Sequence, residues 1–537
     1  GDITIRSGNA GTFNYAKVGH GGYGNGSTQI NTGTINVEAT AGAVELNSRN
    51  GSSAFTQIGH GGLGKGGFMK GEFRDAVVVT AGTQVKLGAG NNQDTFAMIG
   101  HGGTNVRGIF TGAVDVNAGA GGLILTGGST RAFAQVGHGG YNEAGALGVY
   151  TITAAPITID AGLIDLKGGG TSAYAQIGHG GAYVNGSSGT GSAVDSAILV
   201  KTSGTAATDG IRLKGGTGAD SYAMIGSGGR EGSFDVLGNV TVTSAGGGIS
   251  LEGTTTNAFS LIGNGGHVVA GALSGTTAVT SNGGGSADGI SLKGGFGTYS
   301  YANIGHATNN VTGSMLNSDT IVKILGGGLS ITAGSGTLAG ASIGLQSRAF
   351  FGDRSGKIDV DVLAGDVTMT SVSGTASFAQ IGHGGWGQSG IGNMSGEVTL
   401  TVDNGTLTML GGESSAVPAN DYGKYAMIGH GGGAAHSGTT TGSVIVDVNN
   451  AISMAGGNGG DSFTLIGHGG RNRSGTFGAV GDKVEVISRT AGLSMSNGNG
   501  SQAFSMIGMG GSSATGSKTG DVIVSTVSGV SMNGTVG

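Results

Sequence analysis

The sequence predicts an all-β chain: a parallel β-solenoid of about 13 repeats of roughly 41 residues, with three short strands in each. Three observations predict it. One phrase recurs along the whole chain, as FTQIGHGG (55–62), FAMIGHGG (96–103), FAQVGHGG (133–140), YAQIGHGG (174–181), FAQIGHGG (378–385), YAMIGHGG (425–432) and FTLIGHGG (463–470). Weaker copies are YAMIGSGG, FSLIGNGG, YANIGHAT and FSMIGMGG. Between the phrases run short segments of period-two alternation bounded by glycine and small polar residues, the signature of strands, and no helical stripe is visible anywhere. The apolar residue before the phrase's first glycine, from Val18 to Ile507, recurs at intervals of 37 to 48 residues.

Each repeat has the same inner order, shown by GNVTVTSAGGGISLEGTTTNAFSLIGNGG at 238–266. A V-x-V strand comes first, then a glycine pair, an I-x-L strand, a polar turn, and the aromatic-small-x-Ile-Gly strand. A single unit of this kind cannot bury its apolar faces, so it shares them with the units above and below. A propeller needs about four strands per blade and fits three-strand units poorly. Three strands per unit predict one coil per repeat, and thirteen coils at about 4.8 Å give a rod of roughly 60 Å. The expectation is one continuous solenoid domain over residues 1–537. The chain opens on the second and third strands of a unit and closes on the first and second. Neither end reads as a polar cap, which is expected of a segment of a longer solenoid or fibre, or of ends covered by neighbouring chains.

Composition agrees with a packed chain. Glycine is 123 of 537 residues and proline only 2, without the G-X-Y period of collagen. At 37% hydrophobic residues with a net charge of −6, the chain differs from disordered sequences. The same charge, without a basic run, gives no footprint for nucleic acid. The absence of cysteine excludes disulfides and thiolate metal sites. No apolar run approaches the length of a membrane helix.

The third strand carries the candidate functional positions. Its first position is aromatic in twelve units: Tyr15, Phe55, Phe96, Phe133, Tyr174, Tyr222, Phe259, Tyr301, Phe378, Tyr425, Phe463 and Phe504, with Gly340 the exception. Alternation puts this ring and the Gln/Met position on one face, and the small residue with Ile or Val on the other. Neither face is polar, so the strand is expected to be covered on both sides, by the coil interior and by a second layer or another chain. The ladder thus reads as internal packing, with lateral assembly of rods as the alternative. The phrase's histidine occurs nine times: His20, His60, His101, His138, His179, His306, His383, His430 and His468. Stacked, these form a column with the residue types of a metal or pH-sensing site. Ser227, Asn264, Leu345 and Met509 occupy the same position and cannot all be ligands, so the expected role is a turn residue that caps a backbone group.

Other chemical signals are weak. HGGG at 430–433 resembles a lipase oxyanion segment, but its near-duplication in other units makes it a turn of the repeat. GGTGADSYA (215–223) and GGNGGDSFT (456–464) match the calcium nonapeptide, with Asp220 and Asp461 as the candidate ligands, yet stand as isolated copies where such sites need consecutive ones. Trp386, Tyr23 and Tyr141 follow the glycine pair and make one edge intermittently aromatic, a weak signal for glycan stacking, since isolated surface aromatics are usually without function. The unit around SIGLQSRAFFGDRSG (342–356) breaks the pattern with Arg348, Asp353 and Arg354, and reads as a decayed repeat or bend. No catalytic constellation and no cofactor site is expected.

Segments such as GNVTVTSAGGGISLEG (238–253) and GDVTMTSVSGTASFAQIGHGG (365–385) resemble secreted bacterial β-solenoid proteins, the filamentous haemagglutinin-like adhesins and autotransporter passenger domains. The resemblance implies a right-handed β-helix, export to the bacterial surface, and a part in adhesion or in a fibrous surface structure. The chain departs from that family in its period of about 41, about twice the usual coil, and in having no visible secretion domain. Function is therefore expected to be non-enzymatic and extracellular: a structural rod or filament, associating with itself or continuing a longer solenoid. The alternative is an adhesin that binds glycans or protein receptors through the loops after G-H-G-G, which vary from YGNGS to AYVNGSSGTGSA. A β-helical lyase is the enzymatic reading, and only the unit near Arg354 breaks the repeat as such a site would.

Overall fold

The computed structural model describes residues 1–24, 28–64, 67–141, 150–184, 193–206, 208, 210–283, 288–307, 309–346, 352–371, 374–387, 390–412, 423–433 and 436–534. These residues form parallel sheets, and no helix occurs among them. The chain divides into two compact units, Gly1–Gly246 with Ala258–Gly275, and Gly247–Asn257 with Thr276–Gly537. Both are β-solenoids.

In the first unit a coil is well represented by residues 35–73, which hold the strands Ile35–Ala39, Val44–Asn47, Phe55–Ile58, Gly61–Gly64 and Met69–Phe73. Each pairs in parallel with its counterpart one repeat on: Ile35 faces Val77, Val44 faces Val85, Phe55 faces Phe96, Gly61 faces Gly102, and Met69 faces Val106. One repeat is therefore one coil. The three strands expected from alternation are present, and two more follow the repeated phrase. The first of these is the glycine pair itself, in a seven-stranded sheet from Gly21–Gly24 to Gly265–Val269. The other is a seven-stranded sheet from Thr28–Asn31 to Leu273–Ser274. Alternation could not reveal the glycine strand, because glycine has no side chain to alternate.

The second unit keeps the first three sheets, running for example from Thr277–Ser281 to Asp521–Thr526 and from Ala302–Ile304 to Phe504–Ile507. After the repeated phrase its described strands are shorter, in three-stranded sheets such as Gly384–Trp386 with Gly431–Gly433 and Gly469–Gly470. The last strands, Asp521–Thr526 and Val530–Asn533, are exposed along most of their length and border an apolar recess of about 400 Å³.

The core follows from the alternation. In Val77–Ala81 the side chains of Val77, Val79 and Ala81 point inward and are buried, while Val78 and Thr80 face outward. In-register pairing repeats this in each coil, Val77 on Val114 and Val114 on Ile157, so the inner positions form continuous aliphatic columns. Each fully buried Val, Ile or Leu contributes about 1.5–3 kcal/mol, and the sum supports strands too short to persist alone.

The third strand is buried on both faces, as its lack of a polar side requires. Its small-residue face meets the second sheet, where Ser48 Oγ lies 3.0 Å from Thr56 Oγ1. Its aromatic face meets the glycine strand: a Cβ on Gly181 would stand 2.6 Å from the Tyr174 hydroxyl. The covering layer is thus the chain's own next strand, and glycine is needed there to leave room for the ring.

The first glycine of the phrase has a second constraint. Gly100 has φ +136°, and a Cβ there would lie 2.0 Å from the carbonyl oxygen of Gly137 in the next coil. Gly100→Ala should lower stability by about 1–3 kcal/mol from backbone strain alone, and more from the contact. Gly88→Ala, at an open position with nothing within 4 Å, is expected to be neutral or slightly stabilising. Thermal melting of the two variants checks this.

Candidate functional site

The chemistry-bearing residues of the repeat lie in three adjacent columns. In the first unit the rings of Tyr15, Phe55, Phe96, Phe133, Tyr174, Tyr222 and Phe259 form one stack, with centroids 4.7–5.0 Å apart and planes within 6° of parallel. From Phe55 to Phe259 the rings are buried. In the second unit Phe378, Tyr425, Phe463 and Phe504 stack at 4.8–5.4 Å. Gly340 interrupts this ladder for a physical reason: the Phe378 ring leans over it, where a Cβ would meet Cζ at 2.4 Å, and reaches Tyr301 at 6.1 Å. The ladder is spent on packing inside each unit, and apart from the exposed Tyr15 and the half-buried Phe504 its rings are buried.

Beside the rings runs a polar column. The side-chain amide of Gln57 donates to the carbonyls of Gly100 (3.0 Å), Gly102 (3.1 Å) and His60 (3.2 Å). Gln135, Gln176 and Gln380 do the same in their coils. The Gln oxygens accept from tyrosine hydroxyls of the next coil, Tyr174 on Gln135, Tyr222 on Gln176 and Tyr425 on Gln380. In the first coil Lys17 takes the Gln position and donates to the carbonyls of His20 and Gly61.

The histidines form the third column. Gly and His of each phrase make a two-residue bend, and the glycine pair after them starts the next strand, so in the segment at 430–433, expected to be a turn, only His430 belongs to the bend and Gly431–Gly433 is strand. Nδ1 of His101 accepts the backbone N–H of His60 at 3.0 Å, Nδ1 of His138 that of His101 at 2.9 Å, and Nδ1 of His179 that of His138 at 3.0 Å. Nδ1 of His60 accepts from His20 in the same way. In the second unit His383, His430 and His468 accept from Leu345, His383 and His430. With Nδ1 as acceptor the proton sits on Nε2, which donates to a carbonyl across the coil: Gly33 for His60, Asp75 for His101, Gly112 for His138 and Ala155 for His179. His383, His430 and His468 donate likewise to Gly356, Gly396 and Gly442. His306 Nδ1 lies 3.4 Å from Thr277 Oγ1.

The substitutes at this position explain the column's tolerance. Asn264 Oδ1 accepts the N–H of Ser227 at 3.0 Å and its Nδ2 donates to the Gly238 carbonyl, so it reproduces both histidine bonds. Ser227 Oγ accepts the N–H of His179. His and Asn supply both an acceptor for one backbone N–H and a donor for one carbonyl, Ser227 is seen to supply the acceptor, and Leu345 and Met509 supply neither hydrogen bond of this kind. In His60, His101, His138, His179, His383, His430 and His468 both ring nitrogens are occupied, and no lone pair is left for a metal. Among the described residues no group of three or more His, Cys, Asp or Glu is arranged to hold one.

Burial pushes the imidazoles down, to about 2 for His101, about 3 for His138 and His383 and about 4 for His179, with neighbouring histidines adding to the effect at His101 and His138. His430 is held well below its ordinary value for the same reasons.

The two candidate calcium carboxylates are engaged by arginine. Asp220 pairs with Arg230 at 3.5 Å and Asp461 with Arg471 at 2.8 Å, as Asp94 does with Arg131 at 2.7 Å. Asp353 Oδ1 accepts the N–H of Asn393, Arg354 is buried, and Arg348 lies outside the described residues. A further device went unread in the sequence. Asp2, Asp319 and Asp366, each directly before an alternating strand, accept the N–H of Ala43, Lys357 and Thr406 in a neighbouring coil. The signal in the sequence is an aspartate directly before an alternating strand, DITI at 2–5, DTIV at 319–322 and DVTM at 366–369.

The position after the glycine pair differs in kind. In register it holds Tyr23, Leu63, Thr104, Tyr141, Ala182, Arg230 and His267 in the first unit, and Trp386 and Gly433 in the second. It is a column without a common residue, next to three that have one. Comparison with protein-family models, with curated proteins and with solved structures returns no match.

Three outcomes are expected. The native imidazoles are held neutral below the ordinary value near 6.5, so the unfolded chain binds protons that the folded chain refuses. Stability is then full above about pH 6.5 and falls as pH drops towards the native values, by about 1.4 kcal/mol per buried histidine per pH unit. Melting temperature should fall steeply between pH 7 and pH 4.5. At pH 7 His138→Asn should cost under about 1 kcal/mol and soften the acid response, whereas His138→Ala, which strands an N–H and a carbonyl, should cost about 1–3 kcal/mol for each. Calcium addition or chelation should leave the melting temperature unchanged, since Asp220 and Asp461 are already paired with arginine.

Proposed function

We propose that this chain is a non-enzymatic, extracellular structural solenoid, a segment of a rod or filament at a bacterial surface or in its matrix. The observation that carries the reading is the fate of the repeated polar chemistry. The histidines and glutamines that recur coil after coil direct their ring nitrogens and amides at backbone groups of the same or the adjoining coil, so the conserved phrase builds coils and leaves no reactive group poised for substrate. Support also comes from the multiplicity itself, because a catalytic site needs one constellation and a scaffold needs many equal ones. The resemblance to secreted bacterial solenoids adds the extracellular setting.

A second reading, an adhesin segment, is favoured by the open positions of the column after the glycine pair, Tyr23, Arg230 and Trp386, which differ in type while Leu63, Thr104, Tyr141, Ala182 and His267 in the same column are buried. Variation beside a rigid scaffold is the usual arrangement of binding surfaces.

Electron microscopy of the untreated protein separates the two. The structural reading expects filaments or end-joined rods whose length grows with concentration. Separate particles of one size at every concentration would overturn it and leave the adhesin reading.

A further inference from the structure

Among the positions after the glycine pair, Trp386 stands out in the second unit. It is the only tryptophan of the chain and is half-buried. Its indole lies against two glycines, so that a Cβ on Gly433 would be 1.8 Å from Cε3 and one on Gly423 would be 1.9 Å from Cη2. No side chain can occupy that floor. The guanidinium carbon of Arg471 sits 6.0 Å from the indole centroid, and Arg471 Nη2 is 2.8 Å from Asp461 Oδ2. Asp461 is only 4% exposed, and its other oxygen, Oδ1, has no hydrogen-bond partner. Oδ1 is closed to solvent, so Asp461 acts on a ligand only through the guanidinium that it holds.

We propose that Trp386, Arg471 and Asp461 form a binding site for an uncharged sugar ring. The inference deepens the adhesin reading and rests on it. A pyranose has an apolar C–H face, which suits the electron-rich face of an indole, and a rim of hydroxyls that donate and accept at once. A ring hydroxyl can accept from Arg471, whose guanidinium Asp461 holds in place from behind. The Asp461 carboxylate already neutralises the guanidinium, so an anionic ligand would gain no net charge here and would meet a carboxylate instead. The same three residue types meet in the first unit, at Arg131 with Asp94 and Tyr141, but there the ring is buried. A half-buried ring beside an arginine–aspartate pair also occurs at Tyr183, 4.7 Å from Arg230, which pairs with Asp220; Trp386 differs in offering an indole laid on a floor of two glycines.

With one tryptophan, indole emission of the full chain reports on this site alone. The probes are malto-, cello- and chito-oligosaccharides, with an oligogalacturonate as the anionic comparison, read by fluorescence and calorimetry. The expected result is a saturable emission change with at least one neutral probe at about millimolar affinity. Binding should fall at least tenfold in Trp386→Ala and persist in part in Trp386→Phe, each variant being titrated well below its own melting temperature. Neutral-sugar binding that leaves the emission untouched and survives Trp386→Ala would overturn this site and keep the adhesin reading. Binding of the oligogalacturonate alone would overturn the assignment of an uncharged ligand. No binding of any probe would overturn the site together with glycan recognition, leaving the structural proposal unaffected.

Discussion

Everything in this molecule depends on parallel, in-register pairing between coils. When residue i of one strand lies on its counterpart one repeat later, each side chain meets the same kind of side chain above and below at about 4.8 Å. That spacing suits stacked flat rings, and the rings of the first unit take it up almost without tilt. It equally suits aliphatic columns, and it forbids a Cβ where backbones must come closer, as between Gly59 and Gly100. Register thus turns one favourable contact into many and makes each glycine a condition for the next coil.

Polar groups buried by such stacking must be satisfied within the stack, and the repeat does this with few residue types. Histidine is used as a neutral two-ended bracket, accepting along the column and donating across the coil. Its aromatic ring stacks on its neighbours as well, at 4.7–5.2 Å from His20 to His179. Asparagine does the hydrogen bonding without the stacking, which is why it can replace histidine once, at Asn264. The price of the arrangement is that charge cannot enter the column, so acid works against the fold at every histidine together.

The division of labour that results is spatial. Columns with one recurring residue type hold the coils together; the column after the glycine pair is also paired in register but tolerates different residues, and a few of its positions, Trp386 among them, stay open. The structural reading draws on the first group and the proposed sugar site at Trp386 on the second, and the two are compatible in one chain. A rigid repeating scaffold is a natural carrier for a few distinct surface positions.

The sequence by itself determined the all-β class, the period, one coil per repeat, the inward and outward faces of the V-x-V and I-x-L strands, and the aromatic and histidine columns. These follow from alternation and spacing, which are local properties of the chain. It did not disclose the glycine strand, because side-chain alternation is silent where there is no side chain. Nor did it disclose the strand that follows, which comes after loops of variable length. Only the tertiary structure decided what covers the aromatic face, since a buried face looks the same in sequence whether its partner is the next strand or another chain. The partners of His138, the leaning of Phe378 over Gly340, and the meeting of Trp386 with Arg471 and Asp461 were decided there too. Each joins residues whose distance in space is set by the closure of the coil and is invisible to neighbours along the chain.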